Sequence, residues 1–513
     1  SVGDMLNVVE YSNKPRAQDV SPTSTIQSTM LTCTVDDVQN LLVLHPRMLL
    51  SPSRVSHCFP CLRKAVLGEI GPGGSPSPAA VMGTLKHELF ERLTQVGLNA
   101  TTYPNAQTVS VAVDQILDAH LDLLYATGMT QAGCAKDLTS TGMLIVGWIR
   151  DYFEIGSDLT KPWSEYRQQV RHGNTAAQLV RAKASEESVW STKWGLKGFI
   201  DSTVEACIKR QKGQAGYQLV TLPLELKSGK PNLNSSVSHR AQLQLYRLML
   251  SERYDSETSA SSSSSSSSSR TAKAGQQTDA GFLLYLGGGN SSKRQNKDQK
   301  RGKGGQDSQI SFQYVPLCVD EMRQLIYHRN RMAYHLRCVE QLGHGLDLSA
   351  GARVDLSAKA QLHLPQIGHQ LEGECARCHQ RELCTVMHRS FEKGTAETCG
   401  LDPALWRETM ATISDVEIQY VRRWIHLVYI EMYTASAARH AILSETGQER
   451  EEATGDCLSD MICVGVTRRN NMLTFRRCES SRARSGSIAR PVLTLSPMKA
   501  AVRPAPPARS APG

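Results

Sequence analysis

The chain has 513 residues, 40% of them apolar and 21% charged, with 14 cysteines and a formal net charge of +9. That length predicts two to four domains, and no apolar run approaches the ~20 residues that cross a bilayer, so no membrane partner is expected. From Arg468 onward there are ten Arg or Lys residues against one acidic residue, Glu479, so residues 1–467 are formally neutral and the basic character belongs to the tail.

The first residues, SVGDMLNVVE, carry no secretory signal, and the start at Ser1 leads us to expect a piece of a longer protein. Residues 1–50 form an N-terminal segment in which TCTVDDVQNLLVLHP reads as a strand and a turn. From 51 to 130 the pattern is helical. In GTLKHELFERLTQ (83–95), Leu85, Leu89 and Leu93 recur on one helical face and His87 lies off it. A further helix is predicted within 140–170, around TGMLIVGWIRDYFEIG. The period then changes. WGLKGFIDSTVEACI (194–208) and GYQLVTLPLELKSGK (216–230) read as paired strands, HRAQLQLYRLMLSER (239–253) as a helix, and AGFLLYLGG and ISFQYVPL as two more strands before a helix over 319–342. Helices packed on such a sheet predict an α/β fold.

Composition divides the rest. One domain is expected over 51–395, interrupted by disordered insertions at 254–279, which holds nine consecutive serines, and at 288–309, which is basic and Gly-rich. A helical linker follows over 396–440, where Ser414 and Glu417 have capping-box spacing. Residues 441–480 read as the first strands of a small β-barrel, and 481–513 as a disordered basic, Pro- and Ala-rich tail.

The chemistry gathers around LPLELKSGK (222–230). Alternation along a strand puts Glu225 and Lys227 on one face. Alone, the pair is as well explained by a solvated ion pair. Asp201 lies in the preceding strand of the pair, and a carboxylate entering a half-buried strand needs a partner. Either Lys197 or Lys227 would serve, or Asp201 and Glu225 converge into a site for a hard divalent cation such as Mg²⁺ or Mn²⁺. Gln242 and Tyr246 stand one helical turn apart and supply hydrogen-bonding groups on a single face. His87 offers an imidazole.

The order His87, Asp201, Glu225-x-Lys227, Gln242-x-x-x-Tyr246 resembles that of RecB-type nucleases of the PD-(D/E)xK superfamily, over roughly residues 50–320. The resemblance implies that His87, Asp201 and Glu225 hold the Mg²⁺ (or Mn²⁺), that Asp201, Glu225 and Lys227 are catalytic, and that Gln242 and Tyr246 support the site and the DNA.

Cys375-x2-Cys378-x5-Cys384 is a compact thiolate cluster, for which structural zinc is the general expectation, with His379 or His388 as a fourth ligand. Cys58-x2-Cys61 lies far upstream, so a zinc held by Cys58, Cys61, Cys375 and Cys378 is also open. One cysteine ahead of the nuclease motifs and three behind them resembles the iron–sulfur-stapled subset of RecB-type nucleases. That resemblance implies a 4Fe-4S cluster on Cys61, Cys375, Cys378 and Cys384, tying the start of the domain to its end.

The nearest likeness is to the eukaryotic replication helicase–nuclease family that trims 5′ flaps in Okazaki-fragment maturation and resects broken ends. It implies single-stranded or flap DNA as substrate, a single-strand DNA-binding protein as a partner, and residence in the nucleus, with the mitochondrion open. The chain contains no G-x-x-x-x-G-K-[ST] phosphate loop, so neither ATP hydrolysis nor unwinding is expected of it. A metal-dependent deoxyribonuclease is the expected function. The competing expectation is a non-catalytic DNA-binding or scaffold fragment.

Overall fold

The computed structural model describes residues 6–12, 35, 39–71, 77–99, 103–153, 168–209, 217–260, 279–287, 310–341, 364–366, 375–376, 378–399, 402–425, 427–428, 431, 447–453, 458–459, 461–467, 472–477 and 492–495. The chain divides into two units, Ser1–Ile430 and Glu431–Gly513.

The first unit is built on a mixed six-stranded sheet in the order β3-β4-β5-β6-β7-β8. Its strands are β3 (Val170–His172), β4 (Thr175–Ser191), β5 (Leu196–Lys209), β6 (Gln218–Lys227), β7 (Asp279–Tyr285) and β8 (Ser311–Pro316). All neighbours are antiparallel except β6 and β7, which run parallel from Leu224↔Phe282 to Lys227↔Tyr285. Gly281 sits where β7 meets Pro223 of β6. Its φ is 142°, and a Cβ there would lie 2.3 Å from the Pro223 carbonyl oxygen, so only glycine fits. A separate two-stranded sheet pairs β1 (Leu6–Ser12) with β2 (Gln39–Leu44).

Helices cover both faces. On one lie α3 (Pro78–Asn99), α4 (Ala106–Ala119) and α6 (Gln131–Tyr152), whose Leu85, Leu89, Leu93, Val113, Ile116 and Ile145 meet Leu179, Val204, Leu222, Leu224 and Phe282 of the sheet. The stripe predicted on α3 is fully buried, and each such leucine contributes roughly 1.5–3 kcal/mol over an exposed one. Ser77 caps α3, accepting from the Ala80 amide at 3.2 Å, and Pro78 occupies the first helical position. The short α5 (Leu121–Ala126) joins this layer. On the other face α7 (Leu233–Ala260) and α8 (Val319–Gln341) pack with the short α1 (Pro52–Ser56) and α2 (Leu62–Ile70). Arg329 of α8 is fully buried. It donates to the carbonyls of Leu44, His45, Met48 and Gly195, tying the end of β2 to the β4–β5 turn.

Several sequence expectations change. The helix sought within 140–170 is α6 and starts at Gln131; residues 154–167 lie outside the described residues. α7 extends to Ala260, so 254–260 are helical where composition predicts disorder. Extending an existing helix adds one hydrogen bond per residue, so a neutral sequence can follow a strong helix for two turns. The remainder of that insertion, and 288–309, lie outside the described residues. The two strands β3 and β4 carry no sequence expectation.

Beyond the sheet, helices run over Arg381–Glu392, Pro403–Met410 and 415–425. Ser414 and Glu417 form a reciprocal capping box. The Ser414 amide donates to Glu417 Oε2 at 2.7 Å, and the Glu417 amide donates to Ser414 Oγ at 3.3 Å. In the second unit, β9 (Met461–Thr467), β10 (Met472–Arg477) and β11 (Val492–Leu495) form a three-stranded antiparallel sheet. β11 corrects the expectation of a wholly disordered 481–513. The run VLTL has strand propensity that the Pro, Ala and Arg content around it masks.

Candidate active site

β5 and β6 pair up to Ser202 opposite Leu224, and Asp201 and Glu225 lie just beyond the end of that ladder. Glu225 and Lys227 alternate onto the α7 side, while Leu224 and Leu226 enter the opposite core. Lys227 Nζ donates to Glu225 Oε1 at 2.8 Å and to Gln242 Oε1 at 2.8 Å. Gln242 Nε2 in turn donates to Glu225 Oε1 at 2.7 Å and lies 3.3 Å from the Tyr246 hydroxyl. The i, i+4 spacing of Gln242 and Tyr246 thus delivers both to one point on β6.

Asp201 is held on two sides. The Leu226 amide donates to its Oδ2 at 2.6 Å, and its Oδ1 lies 3.2 Å from Nδ1 of His87, reaching down from α3. All six residues expected from the sequence are therefore drawn to one end of the sheet, between α3 and α7.

Charge is concentrated there. Glu225 is 3% exposed, and burial, reinforced by Asp201, raises its carboxyl above the usual range despite Lys227. Its Oε2 is buried without a hydrogen-bond partner. Burial alone would lower the His87 imidazole, but its hydrogen bond and charge interaction with Asp201 raise it overall. Burial raises the Tyr246 hydroxyl far above its ordinary value, so it stays protonated.

Among the described residues, one group of three donors suits a metal ion: His87, Glu186 and Asp201, with ligand atoms within 4.8 Å of one another. Glu225 is not in that triplet, and Glu186 was not foreseen. Glu186 lies on β4, between the pairs Ser185↔Ser202 and Glu187↔Ile200, and so faces Asp201. Burial, then Asp201 and Glu91, push its carboxyl up to about 7. The sequence signal was slight: two adjacent acids in SEES, within a stretch lacking clear alternation.

A second constellation joins α2 to the helix Arg381–Glu392. Cys61 is the N-cap of α2, where its Sγ accepts from the Lys64 amide. The Cys375 thiol is pushed up to about 11 by burial and then by the charges of Cys61, Cys384, Cys378 and Cys399. Arg63, 1% exposed, donates through Nε to Cys384 Sγ at 3.2 Å and grips Glu392 with both terminal nitrogens at 2.6 and 3.0 Å. Cys58 is elsewhere. It lies in the core 4.0 Å from Met332 Sδ, and burial raises its thiol to about 12. His379 is exposed, and His388 is buried 4.0 Å from Glu392.

The family model described as DNA replication factor Dna2 matches residues 1–206, which include Cys61, His87 and Asp201. The DNA replication ATP-dependent helicase/nuclease JHS1 of Arabidopsis thaliana is 26% identical over 400 residues, covering 78% of this chain and 25% of its own length. The dna2 protein of Schizosaccharomyces pombe is 24% identical over 443 residues, covering 85% of this chain and 25% of that protein. Human DNA2 is 25% identical over 440 residues, covering 83% and 35%. The chain spans 25% to 38% of the length of these and other curated relatives. The family model over the first 206 residues and relatives matched along most of the chain agree in one direction: the chain is similar to the Dna2 family of DNA replication factors.

Proposed function

We propose that this chain is a divalent-cation-dependent deoxyribonuclease of the PD-(D/E)xK type that cuts single-stranded DNA or 5′ flaps in replication and repair. The observation that carries the reading is the Lys227 ammonium, clamped between Glu225 and Gln242 beside Asp201. An ordinary ion pair needs neither Gln242 nor a carboxylate oxygen left bare in a buried position. Glu225 Oε2 is such an oxygen, and a hard cation that prefers oxygen ligands suits it.

His87, Asp201 and Glu225 would hold Mg²⁺ or Mn²⁺. When bound, such an ion polarises a phosphate and lowers the pKa of a bound water. Lys227 orients the attacking water and offsets charge on the phosphate. Gln242 fixes the Lys227 rotamer, and the Tyr246 hydroxyl, kept protonated by burial, accepts from Gln242 Nε2 and so holds that amide in place without competing for the cation. Leu226, through its amide, holds Asp201 in its productive rotamer.

The four thiols Cys61, Cys375, Cys378 and Cys384 fit a 4Fe-4S cluster. Four cysteine thiolates are the ligand set that such a cluster takes. Nuclear residence, with the mitochondrion as a second site, and pairing with a single-strand DNA-binding protein belong to the same reading. The ATP-dependent motor in the relatives' names is not proposed of these residues, which contain no phosphate loop.

The test is cleavage of a labelled 5′-flap substrate with Mg²⁺ present or chelated. Cleavage should need the metal and disappear in Glu225→Ala and Lys227→Ala. Undiminished cutting by the Lys227→Ala protein would overturn the assignment. Anaerobically purified protein should be brown, with about four irons per chain; colourless protein with one zinc would overturn the cluster.

A further inference from the structure

Trp190 of β4 and Phe199 of β5 are large apolar side chains of the kind a sheet usually hides, yet each is 62% exposed. Their exposure follows from the pairing of the two strands. Ser188 stands opposite Phe199, and Trp190 opposite Lys197. The residues that alternate with these face α7. Glu187 accepts from the Tyr254 hydroxyl at 2.8 Å, Ser191 donates to Glu252, and Val189 and Ile200 enter the core beside Tyr246 and Met249. The two-residue period then turns Ser188, Trp190, Lys197 and Phe199 to the opposite face, and all four are exposed. There Trp190 and Phe199 are diagonal neighbours, roughly 7–8 Å apart between backbones.

Apolar residues exposed singly are ordinary, but this pair adjoins the acidic end of the sheet. Phe199 is two residues from Asp201 along β5, and Trp190 is four from Glu186 along β4. From 188 to 199 the sequence carries Lys193 and Lys197 and no acidic residue. An apolar protein surface laid on this face would bury the Lys197 ammonium opposite Trp190 with no counter-charge, which is costly. A single nucleic-acid strand meets both needs, offering bases to the rings and phosphates to the lysine.

We propose that Trp190 and Phe199 form a base-stacking platform, with Lys197 on the adjoining phosphates, that receives a single-stranded segment of DNA beside the carboxylate site. This rests on the nuclease reading and deepens it by naming what selects single strands. In a duplex the bases stack on one another and their faces are closed to a ring, whereas a flap leaves them open. Every base has a π-face, so the platform discriminates strandedness and not sequence. Its two rings position the substrate and take no part in bond cleavage.

The experiment is fluorescence anisotropy of a labelled oligothymidylate and of a blunt duplex with the full chain, divalent metal chelated so that nothing is cut. Trp190→Ala and Phe199→Ala should each weaken binding of the single strand roughly tenfold and leave duplex binding and the melting temperature unchanged. Trp190→Phe and Phe199→Tyr, which keep a ring, should retain most of the affinity. Lys197→Ala should instead lower the slope of log affinity against log salt by about 0.7, one phosphate of a single strand, while the ring variants keep that slope. In flap cleavage the two alanine variants should raise KM and keep kcat. Circular dichroism checks that each variant is folded. Unchanged single-strand affinity in a folded variant carrying both alanines would leave the face to a protein partner and overturn the proposal, as would equal losses for single strand and duplex. The nuclease reading fails separately: ring-dependent binding with no flap cleavage would sink that reading alone, and cleavage at the wild-type KM by the double variant would sink only the platform.

Discussion

The carboxylate site and the cysteine site are assembled by different means. The first is placed by the sheet: β4, β5 and β6 pair side by side and bring Glu186, Asp201 and Glu225 to one end, and α3 and α7 add their residues at helical spacing. The second joins Cys61 to residues more than three hundred positions later, with no shared strand or helix. Its polar link is one buried guanidinium, Arg63, holding Cys384, Glu392 and the Pro365 carbonyl, beside apolar packing of Leu67 and Ile70 with Leu383 and Met387. The strand site is spread over several paired elements. The long-range tie concentrates its polar contacts on one side chain.

That contrast can be broken in steps. The largest effect is expected from Lys227→Ala, which should lower flap cleavage about 10³-fold and leave the melting temperature within a few degrees; a matching loss of stability would make Lys227 structural. Arg63→Ala comes next. It leaves Glu392 without its partner, and breaking such a pair costs roughly 3–5 kcal/mol. Urea unfolding should show that loss together with a lower iron content, while Mn²⁺ binding at the carboxylates stays unchanged. Gln242→Ala strips a donor from Glu225 and an acceptor from Lys227, a cost of about 1–3 kcal/mol. Roughly tenfold slower cleavage should follow, with Tyr246→Phe milder, because Tyr246 reaches the pair only through Gln242.

The smallest effect concerns pH. Burial, then Lys227 and His57, lower His239 to about 4. Between pH 6.5 and 4 the unfolded chain binds a proton that the folded chain refuses, so stability is full above about 6.5 and falls as pH drops towards 4. With the imidazole partly solvated, this is on the order of 1 kcal/mol. His239→Gln should flatten that part of a melting-temperature profile. An unchanged slope would assign it to other groups.

Much of the site was legible because its residues are spaced by local geometry. Glu225 and Lys227 follow a strand period, and Gln242 and Tyr246 follow a helix period. Glu186 was not legible, because it faces Asp201 only through the long pairing of β4 with β5. β4 itself hid for a related reason. Its TAAQLVRAKASEESVWS mixes small, charged and apolar residues, and register shifts near Leu179–Arg181 and Ala182–Ala184 break the two-residue period. Sequence periodicity reports which face a residue takes, and not which distant strand lies beside it. Cys58 shows the same limit: the C-x2-C spacing is real, but the turn that follows α1 buries Cys58 beside Met332.

The position of β7 has one more consequence. The catalytic strand β6 is bordered by β5, which precedes it, and by β7, which follows the serine-rich stretch 261–278. A chain cut anywhere in that stretch would keep β6 paired on both sides, its neighbours now belonging to separate polypeptides. The two pieces should copurify and, expressed apart, reassemble.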